Sequence, residues 1–97
     1  MGAKGRDVQK LVEQALGSVG RLRILRALAS GEDASQTRYG LKKITGLKAV
    51  DVRKHLKLLV ESGWVQEHDY NPPVYTLNPN NPGTKDLVEF FKKIGYL

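Results

Sequence analysis

Three cations and one valine fall on a single face of a predicted helix in the segment VDVRKHLKLLVESGWV, residues 50–65. Val50, Arg53, Lys54 and Lys57 are spaced at i, i+3, i+4 and i+7, so they lie side by side along an α-helix. Arginine and lysine in such a row can bind phosphate groups or donate hydrogen bonds to guanine O6 and N7. We name these four residues the basic ridge.

An apolar arc on the other side of the same helix predicts which way the basic ridge points. Its members are Ala49, Val52, Leu56, Leu59 and Val60. Burial of each aliphatic side chain contributes about 1.5–3 kcal/mol, so the arc should face a core and the ridge should face solvent. The helix alone leaves two interpretations open, because cations on an amphipathic helix are often only its solvated face.

The distribution of charge favours a polyanionic partner. The chain carries a formal net charge of +6, and residues 36–57 contain seven basic residues with Asp51 as their one acid. The remaining nine basic and nine acidic residues balance each other. A positive field confined to one segment points to nucleic acid in preference to an anionic lipid surface. The seven basic residues are Arg38, Lys42, Lys43, Lys48, Arg53, Lys54 and Lys57.

Composition argues against several other functional classes. The 97 residues are enough for one domain, and the absence of cysteine excludes disulfides and thiolate metal sites. The two histidines, His55 and His68, form no His-x-x-x-His pair, so we expect neither a metal nor a cofactor. No glycine-rich phosphate loop, nucleophile elbow or carboxylate cluster suggests an enzyme. No apolar run approaches the roughly 18 residues of a membrane span and no signal peptide is evident, so we expect a cytoplasmic protein.

Hydrophobic periodicity and capping residues predict a mainly α fold with a small β-hairpin (α+β), in one domain covering residues 1–97. Ser18, Thr37 or Ser35, and Asn81 are suited to begin helices, whereas Gly17, Gly46 and Gly63 should end them. A short helix, a tight turn and a longer helix over residues 37–62 predict a helix-turn-helix. The predicted helices cover about 5–16, 18–29, 37–44, 48–62 and 83–94, and the predicted strands cover 64–69 and 74–78.

Ordered motifs over residues 16–78 resemble the winged helix-turn-helix repressors of the ArsR-like and MarR-like kind. The pattern Leu-Gly-x-x-x-Arg-Leu-x-Ile-Leu is met from Leu16 to Leu25, and Gly-(aromatic)-Val is met at residues 63–65. The turn pattern is met at Leu41, Thr45, Gly46 and Leu47, with Lys42 in place of the usual small residue. The recognition-helix pattern Val-x-x-His-Leu-x-x-Leu is met at Val52, His55, Leu56 and Leu59.

The resemblance implies a DNA-binding role for particular residues. Helix 48–62 would enter the major groove, and its groove-facing residues would be Lys48, Ala49, Val50, Asp51, Arg53 and Lys54, followed by Lys57. Residues on the preceding helix, Arg38, Lys42 and Lys43, would contact the DNA backbone. His55 would have a structural role. The implied function is sequence-specific binding of double-stranded DNA by a transcriptional regulator of repressor type.

The hairpin over residues 64–78 departs from the resemblance. Wings of this kind commonly carry lysine or arginine for the minor groove, whereas residues 64–73 contain Glu67 and Asp69 and no basic residue except His68. The wing should therefore contribute little to DNA binding or face another partner. We expect Trp64 to cover the core in preference to stacking on a base.

Apolar residues on the terminal helices suggest a homodimer. Leu11, Val12, Leu16, Leu87, Phe90, Phe91 and Ile94 exceed what the small core needs, and in related repressors such helices pair across a two-fold axis. The alternative is that both helices wrap the core of their own chain. Two other functions remain open: a winged helix that docks on a protein, and a winged helix associated with RNA or the ribosome.

Overall fold

The structure is a computed structural model that describes residues 13, 15–30 and 35–97. Most of the predicted helix over residues 5–16 therefore lies outside the described residues, although Glu13, Ala15 and Leu16 are helical. The described elements are α1 (Val19–Ala29), β1 (Gln36–Thr37), α2 (Arg38–Thr45), α3 (Ala49–Glu61), β2 (Val65–His68), β3 (Val74–Leu77) and α4 (Pro82–Lys93).

Side-chain caps begin three of these helices where the sequence predicts them. The Ser18 hydroxyl accepts a hydrogen bond from the Arg21 N–H at the start of α1, and Thr37 accepts one from Gly40 at the start of α2. Asn81 accepts from the Gly83 N–H, with proline at the first position of α4. Each cap satisfies a backbone donor that has no partner inside its helix.

The turn between α2 and α3 is held by one glycine and one threonine. Gly46 ends α2 with φ of 73°, a left-handed conformation that glycine adopts without steric cost. The buried Thr45 hydroxyl donates to the Leu41 carbonyl at 2.6 Å and accepts from the Leu47 N–H at 3.3 Å. The predicted helix-turn-helix is confirmed, with Lys48 as the residue that precedes α3 and Ser62 as the one that follows it.

The sheet contains one strand more than the sequence predicted. The predicted hairpin is present, with β2 and β3 antiparallel and Val65 opposite Leu77. Gln36 and Thr37 add β1 to the free edge of β3, which gives the order β1-β3-β2. Two residues are too few for a periodic pattern, so their pairing is decided by the tertiary fold.

The core lies where α1, α2 and α3 meet the inner face of the sheet. Ile24, Leu25 and Leu28 of α1 and Leu41 of α2 are fully buried. Trp64 is also buried, as expected, and its ring packs against Gly83 at the start of α4. This packing holds one side of α3 against the core and leaves its other side facing solvent.

Candidate nucleic-acid interface

The basic ridge of α3 faces solvent. Val50 is 53% exposed, and Arg53, Lys54 and Lys57 are exposed as well. On the opposite side Val52, Leu56 and Leu59 are at most 2% exposed and Val60 is half-buried. The orientation predicted from the helical wheel is therefore confirmed, since the buried aliphatic residues hold α3 against the core.

One member of the predicted apolar arc, Ala49, was wrongly assigned to the core. Ala49 is exposed because it is the first residue of α3 and lies beside the turn, above the packed part of the helix. Lys48 is exposed just before it, and Asp51 is half-buried in the first turn. A carboxylate at this position interacts favourably with the positive end of the helix dipole.

The predicted backbone-contacting residues lie on the exposed side of α2. Arg38, Lys42 and Lys43 are exposed, whereas Leu41 and Thr45 face the core. Lys43 lies over the Tyr39 ring, with its Nζ atom 5.5 Å from the ring centroid, a geometry that cation–π attraction favours. The ten residues predicted to bind DNA thus lie on one helix-turn-helix unit.

Two of the apolar residues of α2 are exposed. Tyr39 is 68% exposed and Ile44 is 56% exposed. The short helix α2 turns only Leu41 and Thr45 towards the core, so it has no room for a wider buried face. The exposed Tyr39 belongs to the candidate interface.

Three cations converge on a cleft of about 300 Å³ between the two helices. Arg38, Tyr39 and Lys42 of α2 form one side, and Ala49 and Arg53 of α3 form the other. We name this the α2–α3 cleft. Its walls offer guanidinium and ammonium donors and a phenol, which together suit a phosphate group.

A second cleft of about 270 Å³ lies between α3 and the sheet, and we name it the α3–sheet cleft. Arg38 and Arg53 line this cleft too, together with Lys57. Two carboxylates, Glu61 and Glu67, also line it. The two clefts therefore share two arginines but differ in their acidic residues.

The hairpin presents polar and aromatic groups in place of basic ones. The His68 Nε2 atom is hydrogen-bonded to the Thr76 hydroxyl at 2.8 Å, and the His68 ring stacks on Tyr70, which is 67% exposed. The Tyr75 hydroxyl donates to the Glu67 carboxylate at 2.5 Å. Burial, followed by this hydrogen bond and the charge of Glu67, raises the pKa of Tyr75 to about 12.

Behind the basic ridge, His55 packs against α1. Its Nδ1 atom lies 3.5 Å from the Arg21 Nη1 atom, and a Cβ atom on Gly20 would come within 2.5 Å of its Nε2 atom. Burial, then the positive charges of Arg21 and Lys54, lower the pKa of His55, whereas Asp51 acts in the opposite direction. The neutral imidazole can accept a hydrogen bond from Arg21. The structural role expected for His55 agrees with this contact.

The residues predicted for a dimer interface divide into two groups. Leu87 and Phe91 are buried in the core of their own chain, which matches the alternative interpretation for those two positions. Leu16, Phe90 and Ile94 are 37%, 53% and 59% exposed. Leu11 and Val12 lie outside the described residues.

Two kinds of feature, a metal-binding cluster and a membrane span, are absent from the described part of the chain. No group of three or more histidine or acidic side chains there is arranged to bind a metal ion. Within the same residues, no helix has both the length and the apolar character that a membrane span needs.

Comparison with solved structures gives a match over nearly the whole chain. HlyU from Vibrio cholerae N16961 superposes with a TM-score of 0.79 and 22% sequence identity, over 97% of this chain and 97% of that chain. The fold is a winged helix. In this winged helix α3 is the second helix of the helix-turn-helix and the β2–β3 hairpin is the wing. No family model matches the sequence, and no curated protein matches it.

Proposed function

We propose that this winged helix binds double-stranded DNA sequence-specifically, as a cytoplasmic transcriptional regulator of repressor type. The observation that carries the proposal is the outward orientation of Arg53, Lys54 and Lys57, next to a cleft with three cations. A helix of this kind fits the major groove, where base edges can be read.

Different residues have different roles in this proposal. Arg53 and Lys54 donate to base edges or flanking phosphates, Val50 contacts a thymine methyl group, and Asp51 accepts from cytosine N4 or supports the helix N-terminus. The α2 residues bind phosphates and set the register of the protein on the duplex, and Lys57 adds positive charge at the end of the basic ridge. These cations are exposed on α2 and α3, so DNA can reach their charged groups.

We further propose a homodimer that uses the exposed apolar residues of the terminal helices. Leu16, Phe90 and Ile94 leave apolar surface open to solvent, and its burial against a second copy would be favourable. A two-fold dimer would place two copies of α3 about 34–36 Å apart, which matches successive major grooves on one side of a pseudo-palindromic site.

The proposal is tested by titration of the protein with duplexes selected from a random DNA pool. If about eight phosphates are neutralised per dimer, log K should fall against log salt with a slope of about −7. The selected sequences should show two-fold symmetry. A flat salt dependence, or failure to enrich any sequence, would refute sequence-specific DNA binding.

One observation favours a second candidate, a winged helix that docks on a protein. The wing has Glu67 and Asp69 and no lysine or arginine, and its exposed Tyr70 is suited to a protein contact. Recovery of a defined protein partner, together with no retardation of duplex DNA, would favour this candidate.

A further inference from the structure

Arg38 and Arg53 are shared by two clefts that offer a phosphate very different surroundings. On one side, the α2–α3 cleft adds Lys42 and has no carboxylate among its described lining residues. On the other side, the α3–sheet cleft adds Lys57 but also Glu61 and Glu67. At neutral pH the first cleft has three positive charges, whereas in the second two negative charges offset three positive ones. Phosphate should therefore be attracted much more strongly to the first cleft.

The Glu67 carboxylate is held in place by a rigid neighbour. Glu67 of β2 lies opposite Tyr75 of β3 in the antiparallel pair, and the Tyr75 hydroxyl donates to it. Tyr75 is only 3% exposed and belongs to the core. Because the hydroxyl is fixed by the packing of its ring, the carboxylate is kept at the edge of the α3–sheet cleft.

The hydroxyl stays a donor throughout the pH range in which DNA binding is measured. Burial and the neighbouring carboxylate raise the pKa of Tyr75 to about 12, so the phenol is neutral below that pH. An ionised carboxylate beside a phosphate is repulsive, and the repulsion is strong at short range in a partly enclosed cleft.

We propose that Glu67 is a specificity-determining residue that keeps the DNA backbone out of the α3–sheet cleft, so that Arg38 and Arg53 bind a phosphate in the α2–α3 cleft. The inference rests on the DNA binding proposed above and adds which of two clefts the backbone occupies. This role also gives the acidic wing a function, because Glu67 limits the part of the basic surface that phosphate groups can occupy.

The experiment compares Glu67→Gln with Glu89→Gln. Glutamine at position 67 removes the charge but keeps an oxygen that can accept from Tyr75, while Glu89 is exposed on α4 and its replacement changes the net charge equally. We expect Glu67→Gln to bind the selected duplex about three- to tenfold more tightly than Glu89→Gln at 0.1 M salt. The salt slope should steepen by about 1 per protomer, because one more phosphate can then be bound.

Phosphate ethylation interference gives an independent readout of the same idea. Glu67→Gln should gain sensitivity at one phosphate in each half-site, and Glu89→Gln should keep the wild-type pattern. Glu61→Gln removes the other carboxylate of the α3–sheet cleft and leaves the Tyr75 hydrogen bond intact. This variant replaces Glu67→Gln in the experiment if thermal melts show that Glu67→Gln is unfolded. It should change affinity in the same direction by a smaller factor.

The results separate the two proposals. If the wild-type protein shows no salt-dependent binding of duplex DNA, the proposed function fails. If the wild type binds with a steep salt dependence but the folded Glu67→Gln matches Glu89→Gln in affinity, slope and interference pattern, only the role of Glu67 is overturned. If Glu67→Gln is unfolded, Glu61→Gln takes its place. The role of Glu67 is then overturned if Glu61→Gln matches Glu89→Gln in affinity, salt slope and interference pattern.

Discussion

The Nη1 atom of Arg21 lies 3.5 Å from the Nδ1 atom of His55, and this contact joins α1 to the inner side of the proposed recognition helix. The Arg21 Nε atom is buried and has no hydrogen-bond partner among the described residues. His55 therefore provides a hydrogen-bond acceptor for the Arg21 guanidinium, and the same contact helps to position α3 against α1. Because His55 must remain neutral to accept from Arg21, the contact depends on pH.

Acidification should destabilise the protein through His55. The folded-state pKa of His55 is lowered from its ordinary value of 6.5, first by burial and then by Arg21, so the unfolded chain binds a proton more readily. The free energy of unfolding should then fall as pH drops below about 6.5 and level off below the folded-state pKa. Thermal melts between pH 7.5 and 5.0 measure this fall.

The matched variants for this pH dependence are His55→Gln and His68→Gln. The first should show a smaller drop in melting temperature than wild type between pH 7.5 and 5.0, whereas the second should keep most of the drop. An identical pH dependence in wild type and His55→Gln would contradict the assignment to His55.

Gly20→Ala should destabilise the wild-type protein but stabilise a His55→Ala background. A Cβ atom at position 20 would lie 2.5 Å from the His55 Nε2 atom, so the imidazole must move away from Arg21 at a cost of about 1 kcal/mol. Once His55 is truncated, the same alanine should contribute about 0.5–1 kcal/mol through its higher helix propensity. Denaturant unfolding of the wild type, the two single variants and the double variant measures both changes in the free energy of unfolding. A destabilising effect of equal size in both backgrounds would show that Gly20 and His55 are not coupled.

Arg53→Ala and Lys54→Ala should weaken DNA binding without unfolding the protein. Both side chains are exposed on α3, so their removal should leave the core intact while binding falls about tenfold or more. Loss of one phosphate contact in each protomer should make the salt slope less steep by ~2 per dimer.

Lys92→Ala is the matched control for these two variants, because Lys92 is an exposed cation on α4. It should bind DNA nearly as well as wild type when all variants are titrated at the same salt concentration. Equal losses in all three variants would indicate attraction by net charge alone and would argue against a defined interface.

Phe90→Glu should convert the proposed dimer to a monomer. Phe90 is 53% exposed on α4, so a charge is tolerated in the monomer but would be buried at a dimer interface, where an unpaired carboxylate is costly. Sedimentation equilibrium should show half the mass of the wild type, and the variant should lose affinity for a two-fold symmetric site. Lys85→Glu introduces a carboxylate at another exposed position of α4, with an even larger change in net charge, and should remain dimeric. A wild-type protein that is monomeric at all concentrations would contradict the dimer itself.

Local sequence patterns determined most of the secondary structure and the direction of the basic ridge. Ser18, Thr37 and Asn81 cap helices through short-range hydrogen bonds, and Gly46 supplies a left-handed residue at the turn. Such features depend on neighbours within a few positions, so they can be read from the chain. The orientation of α3 could be predicted because Val52, Leu56 and Leu59 recur with the period of a helix.

Only the tertiary structure decided the contacts between residues far apart in sequence. The pairing of Gln36 with Tyr75, the contact of Arg21 with His55 and the sharing of Arg38 and Arg53 by two clefts join separate elements. None of these follows from a periodic pattern, because each depends on how α1, α3 and the sheet pack together. The sequence by itself thus determined that a cationic helix face exists and points outward, whereas three-dimensional packing decided which cleft beside it has carboxylates and which has none among its described lining residues.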